Sequence, residues 1–230
     1  VLHLDSNHEI LAQGLAKLGF ENVHDYTTPR ETILADLHQY EGIIIRSRFR
    51  IDAEVVNAAP NLKFIGRVGA GLENIDCDYA QSKDIALIAC PEGNANAVGE
   101  HSISLLLNLM NRIRIADNEV RNGIWIREGN RGYELEGRTV GIIGYGHMGK
   151  SFARKLRGFE VQTLCYDILP NVGDALATQV DWETLVKESD VISIHTPYTP
   201  QTHGMLNQAF FDGLAKPIFL LNTSRGKNLV

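Results

Sequence analysis

The stretch that decides the fold is Thr139-Val140-Gly141-Ile142-Ile143-Gly144-Tyr145-Gly146-His147-Met148-Gly149. It places the pattern G-x-G-x-x-G directly after an apolar run and at the start of a helix-forming segment. Gly144 permits a tight turn, Gly146 lets the backbone approach a pyrophosphate, and Gly149 lets the helix pack closely on the strand. The first N–H groups of such a helix are unpaired and can bind phosphate. This stretch therefore predicts a strand, a phosphate-binding turn and a helix of a dinucleotide-binding α/β domain.

A carboxylate follows at the separation that a dinucleotide site requires. The next apolar run, residues 161–166, ends in Asp167, about twenty residues after the glycines, where its side chain can accept hydrogen bonds from a ribose 2′-hydroxyl. The next four residues, 168–171, contain no Arg or Lys, so a 2′-phosphate would be repelled. The pattern favours NAD over NADP.

The same glycines also fit a second nucleotide-binding pattern. Residues 144–151, GYGHMGKS, satisfy G-x-x-x-x-G-K-[ST], in which Lys150 would reach the β- and γ-phosphates and Ser151 would bind magnesium. A nucleotide triphosphatase of this kind also needs a strand-ending Asp for the metal, whereas the run at 190–194 ends in His195. We predict the dinucleotide site, with Lys150 as a solvated helix residue, and keep the ATPase as the alternative.

Short apolar runs alternate with helix-like segments in the first part of the chain, a rhythm typical of β-α-β units around a parallel sheet. The predicted strands are 1–4, 23–26, 42–46, 63–68 and 86–89, and the predicted helices are 9–18, 29–38 and 53–59. Five strands with helical crossovers make a complete doubly wound domain. We predict that residues 1–98 form one domain of this kind, flavodoxin-like in fold.

The rhythm restarts after a long apolar helix predicted at 98–118 and a polar segment at 121–137. Further strands are predicted at 139–144, 161–166, 190–195 and 217–222. The fold class is therefore α/β, with two doubly wound, Rossmann-like parallel-sheet domains joined by a long helix. Only eight residues follow the last strand, so we expect the second domain, 99–230, to be a truncated NAD-binding domain with four strands.

Composition excludes several classes of function. The 230 residues contain 22 Lys and Arg against 28 Asp and Glu, a formal charge of −6, which disfavours binding of nucleic acid because the phosphate backbone requires clustered cations. No apolar run approaches the roughly 18 residues that span a bilayer. Cys77, Cys90 and Cys165 are odd in number and far apart, which fits reduced thiols in a cytoplasmic protein with no metal site.

Two further segments make the chain similar to a known family. The run LVKESDVISIHTPYTPQTHGML at 185–206 and the motif NTSRG at 222–226, together with the glycine pattern, closely resemble the D-isomer-specific 2-hydroxyacid dehydrogenases. The resemblance covers essentially the whole chain. The segment GRVGAGLENID at 66–76 resembles the phosphoglycerate dehydrogenase branch of that family.

The resemblance implies a binding site for a small anionic substrate in the first domain. Family members place the turn at Gly69, Ala70 and Gly71 against the substrate carboxylate, a use that suits an anion-binding nest of backbone N–H groups. Arg46, with Ser47 beside it, and Arg67 lie at the ends of predicted strands and would place two guanidinium groups at the carboxyl edge of the sheet, where α/β sheets bind ligands. The alternative for Arg46, Arg48 and Arg50 is a solvated loop.

For the chemistry, the resemblance implies hydride transfer between C2 of a 2-hydroxy acid and the nicotinamide of NAD. Arg225 matches the catalytic arginine that binds the substrate carboxylate and polarises the C2 oxygen. The residues expected to contact the cofactor lie in the glycine loop and at the ends of the predicted strands: Gly144, Gly146, His147, Met148, Gly149, Asp167, His195, Thr196, Thr223, Ser224 and Arg225.

One family feature is not found in this sequence. The acid/base pair of family members, a His oriented by a Glu, lies downstream of the arginine, and only five residues follow Arg225. His195 and His101 are candidate substitutes, but His195 holds a position under the cofactor and His101 lies on the connecting helix, so we expect structural roles for both. Either the polypeptide continues, or the chain binds cofactor without efficient turnover.

The leading hypothesis is an NAD-dependent dehydrogenase of D-3-phosphoglycerate, acting toward serine. The alternatives are a glyoxylate/hydroxypyruvate reductase and a non-catalytic NAD-binding scaffold, the latter because of the missing His and Glu. The connecting helix is apolar on more than one face, and family members pair through this region, so the resemblance also implies a homodimer.

Overall fold

The computed structural model describes residues 1–230, which form two compact units, 1–94 and 95–230. Each unit contains one five-stranded sheet in which every strand pair is parallel. The prediction of two doubly wound α/β domains is confirmed. The predicted division at residue 98 falls inside the helix that crosses from one unit to the other.

The first unit has the strand order β2-β1-β3-β4-β5, which is the flavodoxin-like order. Its strands are β1 Leu2–His3, β2 Val23–His24, β3 Gly42–Ile45, β4 Phe64–Arg67 and β5 Ala86–Ala89, and its helices are α1 Glu9–Lys17, α2 Arg30–Asp36, α3 Ala53–Ala58 and α4 Cys77–Gln81. All four residues of β3 are buried, as expected for a central strand covered by helices on both faces. Aspartate side chains start two helices, since Asp52 accepts from the Val55 N–H and Asp76 from the Tyr79 N–H.

The second unit has the order β10-β9-β6-β7-β8. Its strands are β6 Thr139–Ile143, β7 Gln162–Tyr166, β8 Thr178–Gln179, β9 Val191–Ile194 and β10 Phe219–Asn222, and its helices are α5 Glu92–Met110, which begins at the end of the first unit, α6 Ile113–Arg121, α7 His147–Leu156, α8 Trp182–Glu188 and α9 Gln208–Asp212. From β6 the chain continues to β7 and β8 on one side, and then crosses to form β9 and β10 on the other side of β6. The switch point where such sheets bind ligands therefore lies between β6 and β9.

Two apolar clusters cover the two faces of this second sheet. Along β6, Val140 and Ile142 belong to one cluster and Ile143 to the other, because successive side chains of a strand point to opposite faces. Phe152 of α7 lies in the first cluster and Leu185 of α8 in the second, both with no exposed surface. The loops after β6 and β9 therefore extend from a rigid sheet.

The structure corrects two predictions about the second unit. Its sheet has five strands rather than four, because β8 is only two residues long and no apolar run marks it. The single helix predicted at 98–118 is also wrong. It is two helices, α5 and α6, separated at Arg112, whose φ of 53° is left-handed and ends the helical path.

No helix in the structure is both long enough and apolar enough to cross a membrane.

Candidate functional site

The loop between β6 and α7, residues 144–149, is named here the phosphate loop. Gly144 has a φ of 87°, a conformation that favours glycine. A Cβ on Gly149 would lie 2.2 Å from the Gly144 carbonyl oxygen, so α7 packs against the loop at a distance that only glycine permits. A Cβ on Gly146 would meet nothing within 4 Å, which leaves the space in front of this residue open.

The start of α7 faces that open space. Gly146 is the N-cap residue and provides no side-chain hydrogen bond. The first helical hydrogen bond is the one from the Lys150 N–H to the Gly146 oxygen, 2.9 Å, so the N–H groups before it have no partner within the helix. His147 is exposed and Met148 half-buried on this first turn. The geometry fits the pyrophosphate of a dinucleotide.

Asp167 lies next to the phosphate loop, directly after β7. Its Oδ2 accepts a hydrogen bond of 2.7 Å from the Tyr145 N–H, and its Oδ1 accepts one of 3.0 Å from the Leu169 N–H. Each carboxylate oxygen has two lone pairs, so the group can still accept from a ribose hydroxyl. The structure brings together the two features that the sequence analysis predicted from spacing alone.

The alternative nucleotide site does not fit these contacts. Lys150 Nζ lies 3.8 Å from Asp174 Oδ2 and 5.4 Å from the centre of the Tyr145 ring. Ser151 is 3 % exposed, and a Cβ on Gly99 of α5 would lie 2.6 Å from its Oγ. Because Ser151 faces a neighbouring helix, its hydroxyl cannot bind a magnesium ion in the loop.

His195 follows β9 and lies behind the phosphate loop. A Cβ on Gly144 would lie 2.9 Å from the His195 carbonyl carbon. The His195 ring has Nε2 2.9 Å from Ser193 Oγ and Nδ1 3.4 Å from Thr223 Oγ1, and its centre is 5.4 Å from the centre of the Phe152 ring. Burial lowers the pKa of His195 to about 4. The imidazole is therefore neutral near pH 7 and bonded to hydroxyls on both sides, which is a structural role.

Replacing His195 with glutamine is expected to flatten the pH dependence of stability in mild acid. Below pH 6.5 the unfolded chain protonates this imidazole, but the folded protein does so only near pH 4. The titration of His195 therefore lowers the free energy of unfolding of the wild type by about 2 kcal/mol between pH 7 and pH 5. Urea unfolding at both pH values measures this loss. The exposed His38, replaced in the same way, should keep the wild-type pH dependence, and an unchanged dependence in His195→Gln would contradict the assignment.

A second set of hydrogen bonds connects the ends of β9 and β10. The buried Asn228 donates from Nδ2 to Thr196 Oγ1 and to Ser224 Oγ, both at 3.1 Å. Ser224 Oγ donates to Asn222 Oδ1 at 2.8 Å. Sequence analysis identified Thr196 and Ser224 but missed Asn222 and Asn228, since nothing in the local pattern shows that the short turn after Arg225 folds back onto β9.

Thr223 and Arg225 complete this edge of the second unit. Thr223 Oγ1 lies 3.3 Å from Ser102 Oγ of α5, a buried residue that the sequence analysis also missed. Arg225 is exposed, and its Nη1 donates to the Ser224 carbonyl oxygen at 3.0 Å. Thr223 and Arg225 follow β10. This strand is parallel to its neighbour β9, which in turn is parallel to β6, so Arg225 lies at the same edge of the sheet as the phosphate loop.

In the first unit, the predicted arginines follow neighbouring strands. Ile45 and Arg67 are register partners, so Arg46 and Arg67 lie at the same carboxyl edge. The backbone N–H groups of Arg46 and Ser47 donate to Asp5 Oδ2 at 2.6 and 3.1 Å. Asp5, which the sequence analysis missed, therefore holds the turn after β3 while the Arg46 side chain stays exposed.

Arg67 lies against the predicted glycine turn. Gly69 has a φ of 149°, and a Cβ there would lie 1.7 Å from Arg67 Nη1. The guanidinium therefore covers Gly69, and the half-buried Ala70 and Gly71 follow it. Arg67 Nε is buried and has no hydrogen-bond partner, so one donor of this guanidinium is left unsatisfied.

Arg48 differs from its exposed neighbours. Its guanidinium donates to the carbonyl oxygens of Leu4, Asp25 and Thr28, and its side chain is only 14 % exposed. The hypothesis of a solvated loop is wrong for Arg48, which connects three backbone segments of the first unit.

Comparisons with known proteins agree with this geometry. A family model described as D-isomer specific 2-hydroxyacid dehydrogenase, NAD binding domain, matches residues 103–230. The D-3-phosphoglycerate dehydrogenase of Archaeoglobus fulgidus is 38% identical over 202 residues, which cover 86% of this chain and 38% of that protein. The chain thus spans well under half the length of this relative.

Solved structures show the same architecture. The PH0520 protein from Pyrococcus horikoshii matches with a TM-score of 0.85 at 28% identity, over 99% of this chain and 71% of that one. An NAD-dependent formate dehydrogenase from Staphylococcus aureus, solved in complex with NAD, matches with a TM-score of 0.81 at 26% identity, over 100% and 74% of the two chains.

Proposed function

Because the chain belongs to the D-isomer-specific 2-hydroxyacid dehydrogenase family, we propose that it serves the reversible transfer of a hydride between a 2-hydroxy acid and NAD. The observation that carries the proposal is the phosphate loop with Asp167 bonded to it through the Tyr145 N–H. When bound, NAD supplies the acceptor for the hydride. The protein supplies binding, orientation and charge.

In the second unit, each part of the site has a proposed role. Backbone N–H groups of the phosphate loop, including those of His147 and Met148, hold the pyrophosphate, and Asp167 holds the ribose hydroxyls. Thr196 and Ser224, connected by Asn228, contact the cofactor between its pyrophosphate and nicotinamide ends. Thr223 and the neutral His195 support the nicotinamide side, where a charged imidazole would oppose the positive nicotinamide of the oxidised cofactor.

Arg225 is the proposed catalytic residue. A guanidinium at the edge of the sheet can bind the carboxylate of a 2-hydroxy acid and stabilise negative charge on the C2 oxygen. His195 is unsuited to carry the proton of the C2 hydroxyl, because both ring nitrogens are bonded to hydroxyls and its pKa is near 4. We place no other residue of this chain in that role.

For the substrate we propose D-3-phosphoglycerate. The support is the similarity to the Archaeoglobus fulgidus enzyme, together with Arg46, Ser47, Arg67 and the turn at 69–71 of the first unit, which suit an anion with forked and backbone donors. Glyoxylate and hydroxypyruvate carry no phosphate and would make less use of two arginines.

Titration of NADH and of substrates tests the proposal. The 230-residue chain should bind NADH, with a change in NADH fluorescence, and D-3-phosphoglycerate should bind to the NAD-saturated protein more tightly than glycolate or glycerate. Tighter binding of the unphosphorylated acids would favour the glyoxylate/hydroxypyruvate reductase. Binding of NADH with no response to any 2-hydroxy or 2-oxo acid would favour the scaffold, and absence of NADH binding would contradict the proposal.

We also propose a homodimer in the cytoplasm. The second unit exposes an apolar surface along α6 and the segment after it, which includes Ile113, Ile115, Val120 and Trp125, the last 80 % exposed. Surfaces of this kind mark contacts with other proteins, which supports the dimer. The three cysteines of the chain are free, which supports the cytoplasm as its compartment. Light scattering that shows a monomer at micromolar concentration would count against the dimer.

A further inference from the structure

Tyr145, the second residue of the phosphate loop, makes contacts that the proposed binding of NAD does not by itself require. Its side chain is 1 % exposed and packs in the cluster that contains Ile142 and Phe152. Its hydroxyl donates to Asp174 Oδ1 at 2.8 Å, while its N–H donates to Asp167 Oδ2 at 2.7 Å. Tyr145 is therefore hydrogen-bonded to two carboxylates, those of Asp167 and Asp174, and these two aspartates belong to the segment that follows β7.

That segment, residues 167–176, is named here the ribose loop. Its second half packs on that cluster through Val172 and Leu176. At its start, Ile168 is 88 % exposed and Leu169 60 % exposed, so hydrogen bonds rather than apolar packing hold the part next to Asp167. Asp167 Oδ1 accepts from the Leu169 N–H, and Gln179 of β8 joins the two arms of the loop by donating to the Leu169 oxygen and accepting from the Val172 N–H, both at 2.8 Å. With the two bonds from Tyr145, these contacts brace the ribose loop from its first residue to Asp174.

The bond between Tyr145 and Asp174 is of the strong, charge-assisted type. Partial burial acts to raise the pKa of Asp174, but hydrogen bonds from the Leu176 N–H and the Tyr145 hydroxyl and the charge of Lys150 hold that pKa below its usual value. Burial, followed by the bond to Asp174, raises the pKa of Tyr145. Near pH 7 the donor is a neutral phenol and the acceptor is an ionised carboxylate, a pair about twice as strong as two neutral groups.

The position of Asp167 decides between the two dinucleotides. A carboxylate accepts hydrogen bonds from the ribose 2′-hydroxyl of NADH and repels the 2′-phosphate of NADPH. The repulsion excludes NADPH only while the carboxylate cannot move aside. Since the start of the ribose loop has little apolar packing, hydrogen bonds hold Asp167 in place, and the two bonds from Tyr145 are the ones that join this loop to the phosphate loop.

We propose that Tyr145 is a specificity-determining positioning residue, whose hydroxyl bond to Asp174 holds the ribose loop and thereby sets the preference for NADH over NADPH. The inference rests on the proposed function, namely that the phosphate loop binds NAD. It concerns the ratio of two affinities rather than the affinity for NADH alone, so it can fail while the proposed function stands.

The variant Tyr145→Phe tests the inference. Phenylalanine keeps the buried ring and the backbone N–H and removes only the hydroxyl. We expect the Kd for NADH to rise about fivefold, with the Kd for NADPH unchanged or lower, so that the preference falls about five- to tenfold. Titration of NADH and NADPH into the 230-residue chain, followed by cofactor fluorescence, measures both constants.

Three matched variants serve as controls. Asp174→Asn keeps an acceptor for the Tyr145 hydroxyl and should keep most of the preference, whereas Asp174→Ala should reproduce Tyr145→Phe. Tyr133→Phe makes the same substitution at a tyrosine that is 57 % exposed and packs on Phe219, and it should change neither constant.

Two outcomes would overturn the inference. An equal rise in the Kd values for NADH and NADPH in Tyr145→Phe would show a merely structural role, and unchanged Kd values for both would show that the hydroxyl has no role in binding either cofactor. A wild-type chain that binds neither dinucleotide, or prefers NADPH, would contradict the proposed cofactor site as well, which separates failure of the proposed function from failure of this inference.

Discussion

Replacing Gly149 with alanine is expected to weaken NADH binding at least a hundredfold and to lower the free energy of unfolding by about 3 kcal/mol. The new Cβ would lie 2.2 Å from the Gly144 carbonyl oxygen and 3.1 Å from Ile142 Cγ2. Neither atom can yield, because one is backbone in a turn with positive φ and the other is in the core. Helix α7 must move away from β6, and the N–H groups that would hold the pyrophosphate move with it. NADH titration and urea unfolding measure the two effects.

The matched control is Gly158→Ala. Gly158 follows the same helix, and a Cβ there meets nothing within 4 Å. The free energy of unfolding of the Gly158→Ala protein should therefore change by less than about 0.5 kcal/mol, and its NADH binding should stay at the wild-type level. If Gly149→Ala bound NADH as tightly as Gly158→Ala does, close contact between α7 and the phosphate loop would not be what positions the anion site.

Under the proposed function, replacing Arg225 with lysine is expected to lower kcat/KM for the 2-hydroxy acid about a thousandfold, equivalent to about 4 kcal/mol. The guanidinium can bind a carboxylate with two parallel N–H groups and still orient a donor toward the C2 oxygen, and a single ammonium group cannot reproduce that geometry. Independently of turnover, the Kd of D-3-phosphoglycerate for the NAD-saturated protein should rise about a hundredfold, as measured by isothermal titration calorimetry.

NADH affinity separates this role from a loss of fold. It should stay within about threefold in Arg225→Lys, because the substitution leaves the N–H groups of the phosphate loop and the Asp167 carboxylate unchanged. Arg131→Lys makes the same substitution at an exposed arginine paired with Glu128 and should change nothing. An Arg225→Lys protein with wild-type substrate affinity would remove Arg225 from the substrate site.

The polar residues of the site in the second unit differ in exposure, and we expect different roles for those withdrawn from solvent and for the exposed one. Ser102 is buried and His195 half-buried, and both contact Thr223 Oγ1, whereas Arg225 is exposed. Buried polar groups with satisfied hydrogen bonds are rigid. We therefore expect the buried hydroxyls and the neutral imidazole to act as support and the exposed guanidinium to act on the substrate.

Predictions from sequence succeeded where the required information is local. A glycine pattern with an aspartate about twenty residues later reports a strand, a turn, a helix and a second strand, and the structure places Asp167 within hydrogen-bond distance of the phosphate loop. Predictions failed where a contact joins distant segments. The two-residue β8 exists because Thr178 and Gln179 pair with β7, and Arg48 is largely withdrawn from solvent because it donates to the carbonyl oxygens of Leu4, Asp25 and Thr28.

The sequence alone determined the α/β class, the place of the phosphate loop and the identity of the acidic residue after β7, because hydrophobic periodicity and the conformational freedom of glycine act over a few residues. Only the tertiary structure decided what the side chains of this site do. It showed that Lys150 pairs with Asp174, that Ser151 faces α5, that His195 is half-buried and neutral, and that Tyr145 joins the phosphate loop to the ribose loop. These outcomes depend on burial and on hydrogen bonds between segments far apart in the chain, and no local pattern carries that information.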